Sequence, residues 1–231
     1  MSKPVRVGVI DSGVAAGPDL PVETGSRFTL AADGTVDVSD LTDDCLGHGT
    51  EVSRLICAAA PRAVLLQAQV FDHSFATSPA LVAAGLDWLV DAGVGIVNMS
   101  FGLRADRPVL REACRRADER GVLLIASAPA QGEVCYPAGY PDIIAVTGDA
   151  RCALGEVTDL QGQQADFGTW CASPEQGGGA VVGASAAAAH FSGLAAAFLQ
   201  ERPDAGCDDL FAHFRSQAIQ VGPERRRGQG P

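Results

Sequence analysis

"VVGASAAAAHFSGLAAAF" (181–198) joins a short apolar run containing glycine to an alanine-rich stretch of helical character, and places one hydroxyl, Ser185, at the junction. A serine there has an ordinary use as a helix cap, because its oxygen can accept from a backbone N–H that the first turn leaves unpaired. The same unpaired N–H groups and the helix dipole also favour a negative charge beside that hydroxyl. Which use applies depends on the groups that come to the same place. Two stretches supply candidates. In "GVIDSGV" (8–14), Asp11 ends an apolar run; in "DDCLGHGTEV" (43–52), His48 stands between two glycines at the start of another helical stretch.

The pattern around these stretches alternates. "VRVGVI" (5–10), "AVLLQAQVF" (63–71), "GIVNMSF" (95–101), "VLLIASA" (122–128) and "IIAVTGDA" (143–150) are short, continuous apolar runs with the character of buried strands. Between or after them lie helical periods: "GTEVSRLICAAA" (49–60), "SPALVAAGLDWLVDAG" (78–93) with a Ser-Pro start and a glycine stop, "PVLREACRRADERG" (108–121), "SAAAAHFSGLAAAFLQER" (185–202) and "CDDLFAHFRSQA" (207–218). Repeated strand-helix alternation predicts an α/β fold with a mostly parallel sheet covered on both faces. In such sheets functional groups gather at the carboxyl ends of the strands. Asp11 stands at one such end, and His48 and Ser185 stand at helix starts.

Composition narrows the function. With 231 residues, 47% of them hydrophobic, the chain can bury a large core. Residues 1–222 are expected to form one domain, and the basic stretch 223–231, ending "ERRRGQGP", a disordered tail. A formal net charge of −11 argues against nucleic acid or an anionic membrane as partner. The N-terminus runs directly into a strand without the apolar core of a secretory signal, and no stretch is apolar enough to span a bilayer. Seven cysteines at irregular spacing, with no CxxC, predict neither a disulfide framework nor a structural zinc site. A cytoplasmic location with reduced thiols is the expectation. No metal site or cofactor is expected either: acidic residues lack calcium-loop spacing, and GxGxxG is absent near Asp11.

Acid, imidazole and hydroxyl in the order Asp11, His48, Ser185 exclude an esterase of the α/β-hydrolase type, whose serine precedes its acid and histidine within GxSxG. "VGVIDSGV" (7–14), "GHGTEVSRLI" (47–56) and "VVGASAAAAHFSGLAA" (181–196) resemble the Asp, His and Ser motifs of the subtilisin-like serine proteases, the subtilases. "GIVNMSFG" (95–102) resembles that family's substrate-binding strand. "VLLIASAPAQG" (122–132) followed by "YPAGYPDIIAVTG" (136–148) resembles its oxyanion loop and the next strand. The resemblance runs from residue 5 to about residue 200 and implies a subtilisin-like three-layer α/β/α fold.

It also implies roles. Ser185 would be the nucleophile, His48 its general base and then acid, and Asp11 the group that orients the imidazole. The backbone of Ser100, Phe101 and Gly102 would pair with an extended substrate. Ala126, Ser127 and Ala128 would line the other side of the first specificity pocket, and their small size suggests room there. The backbone N–H of Ser185 would be one oxyanion donor. The family's second donor is an asparagine side chain, but Ala130 occupies that position and Pro129 the glycine before it. Losing one such donor costs on the order of 10²–10³ in turnover, and Gln131, one position further, is the expected substitute.

Two milder departures accompany it: Glu51 where the family often has a second histidine, and alanines 187–189 where a proline usually precedes His190, which is expected to be a packed core residue. A first strand so near Met1 leaves no expected prodomain. The chain is therefore expected to be an intracellular endopeptidase of narrow specificity that removes a leader or pro-segment from a precursor peptide, with a peptide-modifying enzyme as a second partner. The alternative is a pseudoprotease that keeps a peptide groove without hydrolysis, which Ala130 would favour.

Overall fold

A computed structural model describes residues 3–15, 17, 20–162, 164–171 and 181–223. Most of the basic tail, residues 224–231, lies outside the described residues.

Nine strands form one sheet: β1 (Arg6–Asp11), β2 (Val22–Leu30), β3 (Val36–Asp40), β4 (Val64–Gln69), β5 (Ile96–Met99), β6 (Leu123–Ser127), β7 (Ile144–Gly148), β8 (Val157–Asp159) and β9 (Phe167–Thr169). Their spatial order is β3-β2-β4-β1-β5-β6-β7-β9-β8. The run from β2 to β9 is parallel throughout, and only the two edge pairings, β3 on β2 and β8 on β9, are antiparallel. The five helices are α1 (His48–Ala59), α2 (Pro79–Asp91), α3 (Pro108–Glu119), α4 (Ala184–Glu201) and α5 (Cys207–Gln217).

Side chains on the central strands alternate between two cores, as the pleat requires. On β5, Val97 and Met99 join the core under α2 and α3, while Ile96 joins the core under α1, α4 and α5. On β6, Leu124 and Ala126 face the first core, and Leu123 and Ile125 the second. Both faces are therefore apolar, which is why these strands read as unbroken hydrophobic runs. The fold is the expected three-layer α/β/α arrangement.

All five expected helices are present, within two residues of the expected bounds, and Ser78 caps α2 by accepting from the Ala80 N–H at 3.2 Å. Four strands, β2, β3, β8 and β9, were not expected. The β2 sequence "VETGSRFTL" carries charge, glycine and serine, because it lies near the sheet edge with few fully buried positions. β8 and β9 are three residues each, too short for a period to register.

The layout brings α1 and α4 side by side, and Gly193 makes that possible. A Cβ there would lie 2.6 Å from the Ile56 carbonyl oxygen and 2.6 Å from the Ala59 methyl, both in α1. The two helix starts, with His48 and Ser185, thereby open at the same end of the sheet, beyond the carboxyl ends of β1 and β5.

Candidate active site

Asp11 is the last residue of β1 and is 1% exposed, so its carboxylate lies beneath the surface at the strand end. One oxygen, Oδ1, accepts from the Ser12 N–H at 2.7 Å and from the Ser12 hydroxyl at 3.2 Å. The same oxygen lies 2.7 Å from Nδ1 of His48. The other, Oδ2, has no hydrogen-bond partner among the described residues.

His48 is the first residue of α1, and the geometry around it explains the two glycines. Gly47 takes the left-handed φ of 71° that turns the chain into the helix. Gly49 packs against the loop after β1: a Cβ on it would sit 2.2 Å from the Gly13 carbonyl oxygen. Its N–H donates to the Ser12 hydroxyl at 2.9 Å. Asp44 secures the helix start from the preceding loop. It accepts from the N–H groups of Gly47 (2.9 Å) and Thr50 (2.8 Å), and from the Thr50 hydroxyl (2.6 Å).

Burial is the largest single influence on the His48 imidazole and pulls its pKa down. The hydrogen bond to Asp11, with the charges of Asp11 and Asp44, outweighs that and holds the pKa above the ordinary histidine value. The protonated ring is thus favoured beside two acids, as the stabilisation of an imidazolium requires.

Ser185 is the second residue of α4. The first bond within the helix runs from the Ala187 N–H to the Gly183 carbonyl at 3.0 Å. The N–H groups before it, including that of Ser185, belong to the open end of the helix. Ser185 and Ser100 clasp each other. The Ser185 hydroxyl donates to the Ser100 carbonyl at 3.0 Å, and the Ser100 hydroxyl donates to the Ser185 carbonyl at 3.1 Å. A buried chain continues behind them: Asn98 donates to the Ser100 hydroxyl (2.9 Å) and accepts from Ser192 of α4 (3.0 Å). No hydrogen bond joins Ser185 to His48, yet both line one cavity of about 260 Å³, together with Asp11, Phe71, Phe75, Ser100, Phe101 and Gly102.

Of the residues expected at the site, six therefore share this cavity: Asp11, His48, Ser185, Ser100, Phe101 and Gly102. The others do not line it. Ala126 and Ser127 end β6, Ala128 follows it, and all three are buried. Ala130 and Gln131 are exposed on the loop that follows.

His190 is buried, with its Nε2 accepting from the Gly155 N–H and its Nδ1 beside the Thr169 hydroxyl; burial pushes its pKa down to about 4. Glu51 pairs with Arg54 on the surface of α1. Among the described residues no group of His, Cys, Asp and Glu is gathered to hold a metal.

Sequence reasoning missed Asp44, Asn98, Ser192 and the aromatic wall. Phe75 sits edge-on to the His48 ring, with centroids 5.6 Å apart, and Phe71 is edge-on to Phe101 at 5.5 Å. The signal for Phe71 and Phe75 was two phenylalanines in the polar loop "VFDHSFATS" (70–78), directly after a strand.

A model of the subtilase family matches residues 2–230. The chain belongs to the subtilase family. Subtilisin Savinase of Lederbergia lenta is 28% identical over 98% of this chain and 87% of its own length. An alkaline protease of Alkalihalobacillus alcalophilus is also 28% identical over 98% of this chain, which spans 62% of that protein.

Among solved structures, fervidolysin from Fervidobacterium pennivorans, a keratinolytic enzyme, matches with a TM-score of 0.66 and 26% identity, over 87% of this chain and 37% of that one. A lanthipeptide protease matches with a TM-score of 0.72 and 19% identity, over 93% of this chain and 80% of that one. At that identity the likeness concerns the fold.

Proposed function

We propose that this subtilase is a serine endopeptidase that cleaves a leader or pro-segment from a precursor peptide, with Asp11, His48 and Ser185 as its catalytic residues. The observation that carries the reading is the 2.7 Å bond between Asp11 and Nδ1 of His48. It leaves Nε2, the other ring nitrogen, as the proton acceptor for the cavity that His48 and Ser185 both line.

The clasp between Ser185 and Ser100 supplies the first step. An extended peptide that adds alongside Ser100–Gly102 brings a backbone N–H to the Ser100 carbonyl, now occupied by the Ser185 hydroxyl. Displaced, the hydroxyl rotates towards His48, which takes its proton as the oxygen attacks the scissile carbonyl. The oxyanion forms at the open end of α4, where the Ser185 N–H can donate to it. His48 gives the proton to the leaving amine, and water releases the acyl group by the same route. Asp11 holds the ring in one tautomer and stabilises its charge.

Narrow specificity fits the loss of the asparagine donor at Ala130, which leaves binding contacts to make up the rate. Gln131 remains the proposed second donor, and from its exposed loop it would have to turn inward with substrate. Ser127, Ala126 and Ala128 are proposed to back the pocket for the residue before the scissile bond.

Seven free cysteines support a reducing, cytoplasmic setting, and no helix among the described residues is long and apolar enough to cross a membrane. The partners would be the precursor and a peptide-modifying enzyme, as in leader processing during maturation of the small subunit of quinohemoprotein amine dehydrogenase. The pseudoprotease alternative rests on Ala130 alone.

A serine-directed phosphonate tests the chemistry. Mass analysis is expected to find Ser185 as the labelled residue, with labelling lost in His48→Ala. A folded protein with Ser185 unlabelled overturns the proposal.

A further inference from the structure

The sheet has two outer edges, and among the described residues only one of them is covered. Beyond β8, residues 219–222 run alongside as a further extended segment. The Ile219 N–H donates to the Val157 carbonyl at 2.9 Å, the Asp159 N–H to the Gln220 carbonyl at 3.0 Å, and the Gly222 N–H to the Asp159 carbonyl at 2.8 Å. β3 forms the other edge, with no described strand outside it. In the turn before β3, the Ala31 N–H donates to the Thr35 carbonyl at 2.9 Å. Antiparallel alternation from that pair turns the N–H and C=O groups of Val36, Val38 and Asp40 away from β2. Residues 37–40 are all exposed, and Val38, opposite the buried Phe28, is 56% exposed.

Charge selects what fits this edge. Residues 28–53 hold six Asp and Glu and neither Lys nor Arg. Asp37 and Asp40 lie on the strand itself and project to opposite faces. Two copies of β3 laid side by side would bring these carboxylates together, and like charges across strands repel. The chain's own basic run, Arg225 to Arg227, follows the segment that covers the opposite edge. Nine strands about 4.8 Å apart put the two edges roughly 38 Å from each other, whereas residues 223–231 reach at most about 32 Å. That leaves a separate, positively charged chain.

The edge is also near the site. Three strand spacings, roughly 14 Å, separate β3 from β1 and Asp11. Just past β3, the Thr42 N–H and hydroxyl donate to Gln69 Oε1 at 3.0 and 3.2 Å, and Gln69 Nε2 donates to the Ser12 carbonyl at 2.9 Å.

Resting on the peptidase reading for the identity of the partner, we propose that β3 is a docking edge for a basic segment of the precursor peptide, which adds to the sheet as a further strand. Backbone pairing with Val36, Val38 and Asp40 supplies the register. Lys or Arg opposite Asp37 and Asp40, with an apolar residue opposite Val38, supplies the selectivity. The segment lies outside the residues that enter the cleft, so it raises the local concentration of the scissile bond without touching the triad.

Two peptidyl diphenyl phosphonates with the same reacting end test this, with the rate of Ser185 labelling as the readout. One carries Lys-Val-Val-Lys and the other Ser-Val-Val-Ser, each through a Gly-Ser linker of about twelve residues, whose root-mean-square span is roughly 20 Å. At low salt the basic probe is expected to react about three- to tenfold faster, the scale of two cross-strand charge pairs. Val38→Pro removes an outward N–H at a position where an edge strand tolerates proline. Asp37→Lys combined with Asp40→Lys reverses the charge and leaves the backbone intact. Each variant is expected to abolish the advantage, while the neutral probe keeps its wild-type rate.

An advantage that survives Val38→Pro overturns strand addition, and its absence in the wild-type chain overturns the docking edge altogether. Self-association of the wild-type chain that Val38→Pro abolishes assigns the edge to a second copy and overturns the proposal as well. All three results leave the peptidase reading standing. A folded protein that neither probe labels at Ser185 overturns that reading, and amide hydrogen exchange with the free basic peptide then decides the edge. Slower exchange at Val36, Val38 and Asp40 supports it, and unchanged exchange overturns it.

Discussion

At the scale of single residues, the site depends on how one carboxylate shares its oxygens. Asp11 directs Oδ1 to both Ser12 and His48, so the ring is oriented through an atom that is itself fixed by the backbone. Asp44 adds a second negative charge without touching the ring, and it also secures the first turn of α1.

This arrangement has a pH consequence. In the proposed mechanism His48 must be neutral to accept the Ser185 proton, and both acids hold it in its charged form to higher pH. The acidic limb of kcat/KM, which reports the free enzyme, is therefore expected to have its midpoint above the ordinary histidine value of about 6.5. Removing one of the charges with Asp44→Asn is expected to move that midpoint to lower pH. A pH-rate profile of both proteins checks it, and an unmoved limb would dissociate Asp44 from the titration.

The three motif residues were legible because each sits in a local context, a strand end or a helix start flanked by glycine, that the sequence displays. Asp44 was not singled out. Its neighbour Asp43 looks equivalent in the sequence, and only the turn that aims Asp44 at Gly47 and Thr50 separates them.

At the scale of elements, catalytic geometry depends on how α4 lies against α1 and β5. Gly193 lets α4 approach the backbone of α1, and the Ser192–Asn98–Ser100 chain ties the middle of α4 to the end of β5. A branched side chain at position 193 has to push the helices apart. Gly193→Val is expected to cost about 1–3 kcal/mol through overpacking, lowering Tm by roughly 2–12 °C in a domain of this size. The altered separation of His48 and Ser185 should reduce kcat as well. Thermal melting together with turnover checks both parts, and unchanged values would show that α1 and α4 accommodate the methyl groups without moving.

The strongly periodic helices were legible because each buries a stripe that repeats along its own sequence. The hairpin of β2 and β3 was not, because an exposed sheet edge imposes no apolar period: four of the five β3 residues are exposed.

At the scale of the whole molecule, the excess of acid over base, 28 Asp and Glu against 17 Lys and Arg, leaves a formal net charge of −11 and with it a net negative field. Such a field steers positively charged ligands and is screened by salt. For two peptides of equal length, one carrying lysines outside the scissile region and one neutral, kcat/KM of the lysine peptide is expected to fall as salt rises. That of the neutral peptide should change little. Steady-state rates across an ionic-strength series check this, and parallel behaviour of the two peptides would exclude long-range steering.

By itself, the sequence determined the alternation of strands and helices, the two covered faces of the sheet, and the positions of acid, imidazole and hydroxyl. All of these follow from a residue's nearest neighbours and from repeat periods of about 2 and 3.6 residues. Only the tertiary structure decided where the Ser185 hydroxyl points, which acid besides Asp11 influences His48, and how much space lies beside Gly102. These are distances between segments far apart in the chain. The Cys135 sulfur lies against Gly102 and 3.7 Å from the Ser127 carbonyl oxygen, and no local pattern in any of the three stretches records that meeting.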